Sequence, residues 1–185
     1  MGADFEYSLK AAQDRLSEKA VAIEYPIGAE DNFRGVIDLV KMVAYEYDGE
    51  ANEEPKEIEI PAELKDKAEE MRTTLIEAAS EFSDELMETY LEGNVIPVDM
   101  LKAAIRKGTL AVKMFPVLCG TALGNKGVKL GLDAVIDYLP APTDIAAVKG
   151  VDMNDNPVER KASDNEPFAA LAFKVMNDPF VGNLT

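Results

Sequence analysis

The 185-residue sequence contains no histidine, no tryptophan and a single cysteine, Cys119. Without histidine, neither a Ser-His-Asp triad nor a Cys-His pair can activate a nucleophile. The same shortage excludes the zinc sites of finger and ribbon proteins. One cysteine cannot form an internal disulfide, and the chain does not open on a signal-peptide pattern, so we expect a reducing, cytoplasmic setting.

Basic residues are scarce: 19 Lys and Arg stand against 35 Asp and Glu, a formal net charge of −16. Such a surplus repels phosphate, so direct nucleic-acid binding by this chain is not expected. No apolar run approaches the roughly 20 residues that a bilayer span needs, so a membrane partner is not expected either. The length fits one domain, or one domain with part of another.

The N-terminal third alternates between helical and strand periodicity. Apolar residues recur at helical spacing over 4–16, with Asp4 available as the N-cap, and they alternate over 21–25, where Pro26 ends the predicted strand. Asp48-Gly49 begins a connection too long and too charged for a tight hairpin. Short strands, expected to be antiparallel, are predicted at 36–40, 42–47 and 57–60.

From residue 61 onward, apolar residues recur at the spacing of an amphipathic helix. One stripe predicts a long helix over 61–82, and Ser83 can cap a second helix that Gly93 ends. A third helix is predicted over 97–107, closed by Gly108.

Residues 112–118 are apolar on both faces apart from Lys113, which is typical of a central strand in a covered sheet. The prolines of 140–142 then indicate a domain boundary. The remaining segment is too short to close a barrel core alone, so we expect a domain cut short. Between the strand and the boundary, another helix is predicted from an apolar stripe of Val128, Leu132, Val135, Ile136 and Leu139. Strands are predicted at 148–150, 158–160, 168–176 and 181–184.

Several short motifs fail as chemical sites. Paired carboxylates such as Glu53-Glu54 are expected by chance in an acidic chain and are interpreted as solvated. The run that begins at Asp152 lacks the later bidentate Glu of a calcium loop and predicts a turn. Residues 124–127, GNKG, lack the Ser or Thr of a phosphate-binding loop, and Val128 replaces the Asp of the Asn-Lys-x-Asp box that reads guanine.

Longer stretches carry a family resemblance. Residues 115–123 read FPVLCGTAL, followed by NKGV at 125–128 and LDAVIDYLPAP at 132–142. These resemble the last base-recognition box and closing helix of the GTPase domain in bacterial elongation factor G. Residues 26–39, PIGAEDNFRGVIDL, resemble the entry into the subdomain inserted in that domain, and YLEG at 90–93 with AIRKGT at 104–109 resembles its exit. LAFKVM at 171–176 and DPFVG at 178–182 resemble the opening strands of its second domain.

The resemblance implies a fold class of α/β plus α+β. Residues 1–25 would supply a helix and a strand of the GTPase domain, and 26–111 the inserted α+β subdomain of short antiparallel strands and three helices. Residues 112–142 would supply the final strand, base-recognition loop and closing helix, and 143–185 the start of a β-barrel domain. The phosphate loop, switch regions and magnesium ligands of the family are not in this sequence, so a fragment is implied.

The parent would be a ribosomal translocation GTPase that uses GTP and Mg²⁺ and couples hydrolysis to tRNA and mRNA movement. By resemblance, the backbone N–H of Ala122 approaches the guanine O6, with Thr121 and Leu123 beside it; Thr121 stands where the family most often has Ser. On the residues alone, such a stretch after a buried strand is more often just a tight turn, and only the flanking resemblance favours the nucleotide contact. The fragment itself is expected to have no catalytic residue, metal or cofactor, and not to bind or hydrolyse GTP.

Acidic residues are concentrated between Asp48 and Glu92, where 16 acids stand against four bases. Most such faces only keep a protein in solution. In elongation factor G, however, the inserted subdomain meets the basic C-terminal domain of the ribosomal stalk protein, so an autonomous acidic binding module is the alternative function. A paralogous ribosomal GTPase is the alternative parent. The candidate partner-binding residues are Glu63, Asp66, Glu69, Glu70 and Glu77.

Overall fold

The structure is a computed structural model that describes residues 2–47 and 54–184. The chain divides into two compact units, one up to Leu139 and one from Pro140 onward. The connection predicted to begin at Asp48-Gly49 lies outside the described residues. None of the helices within these ranges combines the length and the apolar character that a membrane crossing needs.

The first helix, α1 (Phe5–Arg15), confirms the predicted N-cap. The Asp4 carboxylate accepts a hydrogen bond from the Tyr7 N–H at 2.9 Å, which satisfies a donor that the first helical turn leaves unpaired. Helix α1 packs on strand β1 (Ala20–Ala22), which pairs in parallel with β6 (Phe115–Val117). This parallel pair is the part of the fold that positions the candidate site.

One extended segment serves two sheets. After β1, strand β2 (Glu24–Ile27) forms the edge of a four-stranded antiparallel sheet. The change occurs at Ile23, which donates its N–H to the Val117 carbonyl and accepts from the Leu39 N–H, both at 3.0 Å. The extended segment predicted over 21–25 is therefore confirmed, but it is divided between two strands and Pro26 does not end it. Pro26 lies inside β2 because an edge strand has a ladder on one side only.

The rest of this sheet follows the predicted antiparallel order. Strands β3 (Gly35–Asp38), β4 (Val43–Glu46) and β5 (Lys56–Ile58) are successive neighbours after β2. Val36 and Ile37 on β3 are both fully buried. Through these buried side chains, the second strand makes the sheet part of the core of the first unit.

Three helices follow the sheet, as predicted: α2 (Lys65–Ser80), α3 (Asp84–Leu91) and α4 (Val98–Leu110). Ser83 caps α3 by accepting the Leu86 N–H at 3.3 Å, and Gly93 beyond the helix has the left-handed φ of 71°. The three helices and the sheet share one buried cluster. Its fully buried members include Ile37, Leu39, Leu75, Leu86, Leu101, Ile105 and Met114.

Gly108 does not close α4, contrary to the prediction. The helix continues to Leu110, and the left-handed residue is Val112, with a φ of 56°. A Cβ on Gly108 would stand 2.6 Å from a ring carbon of Phe82 and 2.9 Å from the Cβ of Met114. The glycine is present because a neighbouring ring packs directly on the helix backbone, a role that sequence spacing does not distinguish from a helix end.

The last elements of the first unit are more exposed than predicted. The strand expected over 112–118 is only β6, and among the described residues it pairs with β1 alone. Helix α5 (Val128–Tyr138) buries Ala134 and Tyr138. The helix is confirmed, and its predicted apolar stripe is exposed because no described element covers it. Its members are Val128, Leu132, Val135, Ile136 and Leu139.

The second unit consists of two separate hairpins in its described residues. β7 (Val148–Val151) pairs with β8 (Pro157–Arg160), and β9 (Met176–Asp178) pairs with β10 (Gly182–Leu184). The strand predicted over 168–176 is wrong except at its last residue, because the described chain offers that stretch no ladder partner. No closed barrel is present among residues 140–184.

Candidate functional site

The candidate site is the loop 119–127, which connects β6 to α5. Because β1 and β6 are parallel, their carboxyl ends meet at one edge, and the loop leaves from that edge. In α/β proteins, ligands bind at the carboxyl ends of the parallel strands. The topology therefore puts the predicted base-recognition residues where such folds place binding loops.

The loop is a small hairpin with its own hydrogen bonds. Thr121 and Lys126 exchange two backbone bonds, of 2.9 Å and 3.1 Å, and the Gly124 N–H donates to the Thr121 hydroxyl at 3.4 Å. Gly127 ends the loop with a φ of 82°, and a Cβ there would stand 2.8 Å from the Cys119 carbonyl oxygen. Only glycine fits this closure, so the two ends of the loop are held together.

The predicted nucleotide-binding residues lie at the tip of this hairpin. Thr121 is half-buried, Ala122 is exposed, and the Leu123 side chain is 99% exposed. Within the described residues, the N–H groups of Ala122 and Leu123 donate to no protein acceptor. Two exposed backbone donors on a braced tip suit a carbonyl oxygen as ligand.

Two contacts join the loop to the four-stranded sheet. The Lys126 ammonium donates to the Phe33 carbonyl, next to β3, at 3.0 Å. At the start of the loop, the Cys119 N–H donates to a carboxylate oxygen of Glu24, the first residue of β2, at 3.0 Å. The position of the loop is thereby linked to the β2–β3 hairpin.

Glu24 is a functional candidate that the sequence did not suggest. Its side chain is only 4% exposed, although Glu is almost never buried without a partner. Burial raises the pKa of Glu24 to about 7; the Cys119 N–H opposes this rise, and the charge of Asp38 adds to it. In the sequence, Glu24 is one polar position in an alternating strand. Only the sheet change at Ile23 turns it inward, and no sequence pattern signals that change.

The Cys119 thiol is not a reactive group in this structure. Burial raises the pKa of the thiol well above its usual range, and the charge of Glu24 adds to the rise. A protonated thiol is a weak nucleophile. The contribution of Cys119 to the loop is its backbone N–H.

The predicted partner-binding acids lie around helix α2, and all five are exposed. At about 100° per residue, four of them share one arc of the helix surface, opposite the buried residues Leu75 and Ala79. Glu63 lies in the short 3-10 turn before the helix. The structure therefore gathers these residues on one solvent-facing surface, the α2 acidic face, defined by Glu63, Asp66, Glu69, Glu70 and Glu77.

Two of the four bases near this face are already engaged. Arg72 donates to the carbonyl oxygens of Leu39 and Val40 at 2.6 Å and 2.7 Å, beneath the helix. The Lys67 ammonium lies 3.3 Å from Glu70 and 3.4 Å from Glu6. Lys67 offsets part of the charge of the face through Glu70, whereas Arg72 is directed to the backbone beneath it, so the acids of the face still outnumber the bases beside them.

The described residues show no cluster of acidic or cysteine side chains suited to a metal. Around Asp152, the carboxylate accepts the backbone N–H groups of Asn154 and Asn156 at 2.7 Å and 3.0 Å. The Asn156 side-chain amide also donates to the Asp152 carboxylate, at 3.0 Å, and it contributes most to the lowered pKa of Asp152, followed by the two backbone N–H groups. Together these bonds form a closed turn, as predicted.

No protein-family model matches the chain. Among solved structures, a protein of Thermus thermophilus has a similar fold, with a TM-score of 0.72 at 24% sequence identity. The match covers 98% of this chain and 24% of that protein, so the chain spans about a quarter of its length. At this identity the likeness shows a shared mixed α/β fold and identifies no family.

Proposed function

We propose that the chain is a segment of a ribosomal translocation GTPase of the elongation factor G type, comprising the inserted subdomain, the end of the GTPase domain and the start of the second domain. The observation that carries the proposal is the braced 119–127 loop at the carboxyl edge of a parallel strand pair. The same region of a paralogous ribosomal GTPase fits equally well. In either case the parent would act in the cytoplasm.

The exposed apolar face of α5 supports the interpretation as part of a larger layer. Leu132 and Ile136 are 61% and 76% exposed, beside a parallel pair of only two described strands. Parallel sheets are normally larger and covered on both faces. Further strands of a GTPase domain would supply both the missing neighbours and the cover.

The proposed role of the loop is to distinguish guanine from adenine. The Ala122 N–H donates to the guanine O6, whereas adenine presents an amino group that cannot accept this bond. Thr121 braces the tip from within. The phosphates and Mg²⁺ would be bound by parts of the parent outside this sequence, and those contacts supply most of the binding free energy. This segment alone therefore contributes selectivity and does not retain GTP.

The test compares GTP with an analogue that carries sulfur in place of O6, in the longer protein that contains this segment. Sulfur is a weaker acceptor but leaves the N1–H and the amino group of the base in place, so weakening this one hydrogen bond should reduce affinity by up to about tenfold. Ala122→Pro, which lacks the N–H, should remove this difference, whereas Ala122→Gly keeps the N–H and should preserve it. Equal binding of GTP and the analogue by the unmodified protein would refute the proposed contact.

A second function, favoured by the α2 acidic face, is binding of the basic C-terminal domain of the ribosomal stalk protein. The acids project away from the buried side of α2, so a partner can reach them without disturbing the core. Complementary charge accelerates encounter and makes affinity depend on salt. The face and the loop belong to one unit, so both functions are compatible in one parent.

NMR titration of this chain with the stalk domain tests the second function. Shifts should appear on α2 at low salt and weaken at high salt. A variant with Glu69, Glu70 and Glu77 changed to Gln should bind about tenfold more weakly. The control neutralises the exposed residues Asp155, Glu159 and Asp164 in the second unit, which changes the net charge equally. Equal weakening by both variants would show a general charge effect and refute a specific face.

A further inference from the structure

Apart from the tyrosines, Glu24 and Ser80 are the only polar side chains that are buried among the described residues. Glu24 stands where the chain leaves the parallel pair and enters the four-stranded sheet. From this position its carboxylate reaches across to the first N–H of the 119–127 loop. A buried acid that connects two sheets and a loop is unusual, because burying a charge destabilises a fold unless the charge is paired.

The groups that face Glu24 come from every element packed around it. Asp38 on β3 repels its charge, and the Lys41 ammonium lies 3.5 Å from Asp38. Glu24, Asp38 and Lys41 line a cavity of about 190 Å³. The other charged residues that line this cavity are Lys102 and Asp137, which pair at 2.6 Å, and Asp133. Tyr47 and Tyr138 are close enough to Glu24 for its charge to add to the effect of burial, which raises the pKa of each hydroxyl.

We propose that Glu24 is the positioning residue of the 119–127 loop and that proton binding to its carboxyl changes how firmly the loop is held against the four-stranded sheet. The assignment of the loop to nucleotide recognition rests on the function proposed above. The connection between Glu24 and the loop does not, because it follows from the hydrogen bond and the burial alone.

The physical basis is the difference between a carboxylate and a carboxylic acid as acceptors. The ionised form accepts the Cys119 N–H in a charge-assisted bond, about twice as strong as a neutral one. The protonated form is the weaker acceptor, but it avoids the burial of a charge. With the pKa of Glu24 near 7, both forms are populated under neutral conditions. A small change in pH therefore shifts the loop between a firmly held and a loosely held state.

NMR of the nitrogen-15-labelled chain, without any nucleotide, tests the proposal. The Cys119 amide proton should move downfield as the pH rises, with a midpoint near 7. In Glu24→Gln the acceptor is kept but cannot ionise, so this titration should vanish. Asp38→Asn is the matched control: it removes a neighbouring carboxylate, so the titration should remain and its midpoint should fall.

A Cys119 amide that is insensitive to pH in the unmodified chain would overturn the proposal, whatever the variants do. A titration that persists unchanged in Glu24→Gln would also overturn it. Amide exchange at Thr121 and Lys126 gives a second measurement: the protection factor of each amide, corrected for the base-catalysed rise of the intrinsic rate with pH, should increase as Glu24 ionises. If the titration is found and the parent does not select guanine through Ala122, the positioning role stands and the nucleotide role fails.

Discussion

The two units of the chain differ in how far they bury their apolar side chains. The first unit buries a continuous cluster that joins the four-stranded sheet to α2, α3 and α4. In the second unit, no described residue is buried, and Phe168, Phe173 and Phe180 are each at least 87% exposed. Both units contain paired strands, so strand pairing does not explain the difference.

The comparison shows that a helix layer, more than strand pairing, creates the core here. Helices α2 and α4 close over the strands of the first unit and bury their apolar faces. The second unit has hairpins without such a cover, and an isolated hairpin is only marginally stable in water. The first unit is therefore expected to carry the cooperative unfolding of the chain, and the second to contribute little.

The largest expected effect contrasts Leu75→Ala with Phe173→Ala. Leu75 on α2 is fully buried, so truncation leaves a cavity and should lower the free energy of unfolding by about 3 kcal/mol. Phe173 is 87% exposed, so its truncation should change it by less than about 0.5 kcal/mol. Urea denaturation of both variants measures the contrast. Similar losses would mean that the second unit has a core of its own.

The next prediction concerns the pH dependence of stability that the buried carboxyl of Glu24 gives to the first unit. The pKa of Glu24 rises from 4.5 to about 7 on folding, so the folded chain binds more protons than the unfolded chain between these values. Stability is therefore lost as the pH rises through this window. Glu24→Gln should be more stable than the unmodified chain by about 3 kcal/mol above neutrality, and equally stable near the unfolded pKa.

Urea denaturation of both chains across this pH range measures the difference. A constant stability difference between the two chains would contradict the buried charge. The effect of Glu24→Gln on the second unit should be absent, because its titratable groups do not take part in this linkage.

A smaller change in stability, of opposite sign, is expected at two helical glycines. Gly108 in α4 faces the Phe82 ring at a distance that leaves no space for a methyl group, so Gly108→Ala should cost about 1–3 kcal/mol. Gly131 in α5 has open space around it, so Gly131→Ala should stabilise the chain by up to about 1 kcal/mol. Thermal unfolding monitored by circular dichroism should show shifts of opposite sign. Two shifts of the same sign would mean that the covered and open helix faces are misassigned.

The smallest change in stability is expected for two serines whose hydroxyls each accept a hydrogen bond from a nearby backbone N–H. Ser83 caps α3, and Ser163 accepts the Asn165 N–H in the second unit, each at 3.3 Å. Ser83→Ala should cost about 1 kcal/mol, because the cap belongs to a packed helix. Ser163→Ala should leave the unfolding midpoint unchanged. An equal loss at both serines would contradict the contrast between the units.

The helices could be predicted well from the sequence, since capping residues and apolar spacing are local signals. Asp4 and Ser83 begin their helices as predicted, because each side chain bonds a nearby N–H. Local signals fail where a distant contact decides the outcome. Gly108 has the appearance of a helix end, but a ring far along the chain explains it.

The candidate site likewise has one part that local sequence signals predict and another part that depends on a distant contact. The loop around Thr121 could be found from its short motif and its small residues. The attachment of that loop to Glu24 could not, because it joins positions 95 residues apart and depends on where one strand changes sheets. The apolar stripe of α5 could be predicted from its spacing, but its exposure could not, because periodicity shows that a face is apolar without showing what covers it.

Calorimetric titration of GTP into this chain, beside the longer protein that contains it, distinguishes a segment that only contacts the base from a complete GTP-binding domain. We predict binding by the longer protein and no detectable binding by the chain, since the segment offers base contacts without a phosphate cradle. Binding by the chain alone with a dissociation constant of about 1 µM, or about −8 kcal/mol, would contradict it. Such a result would mean that the described units contain a complete nucleotide site.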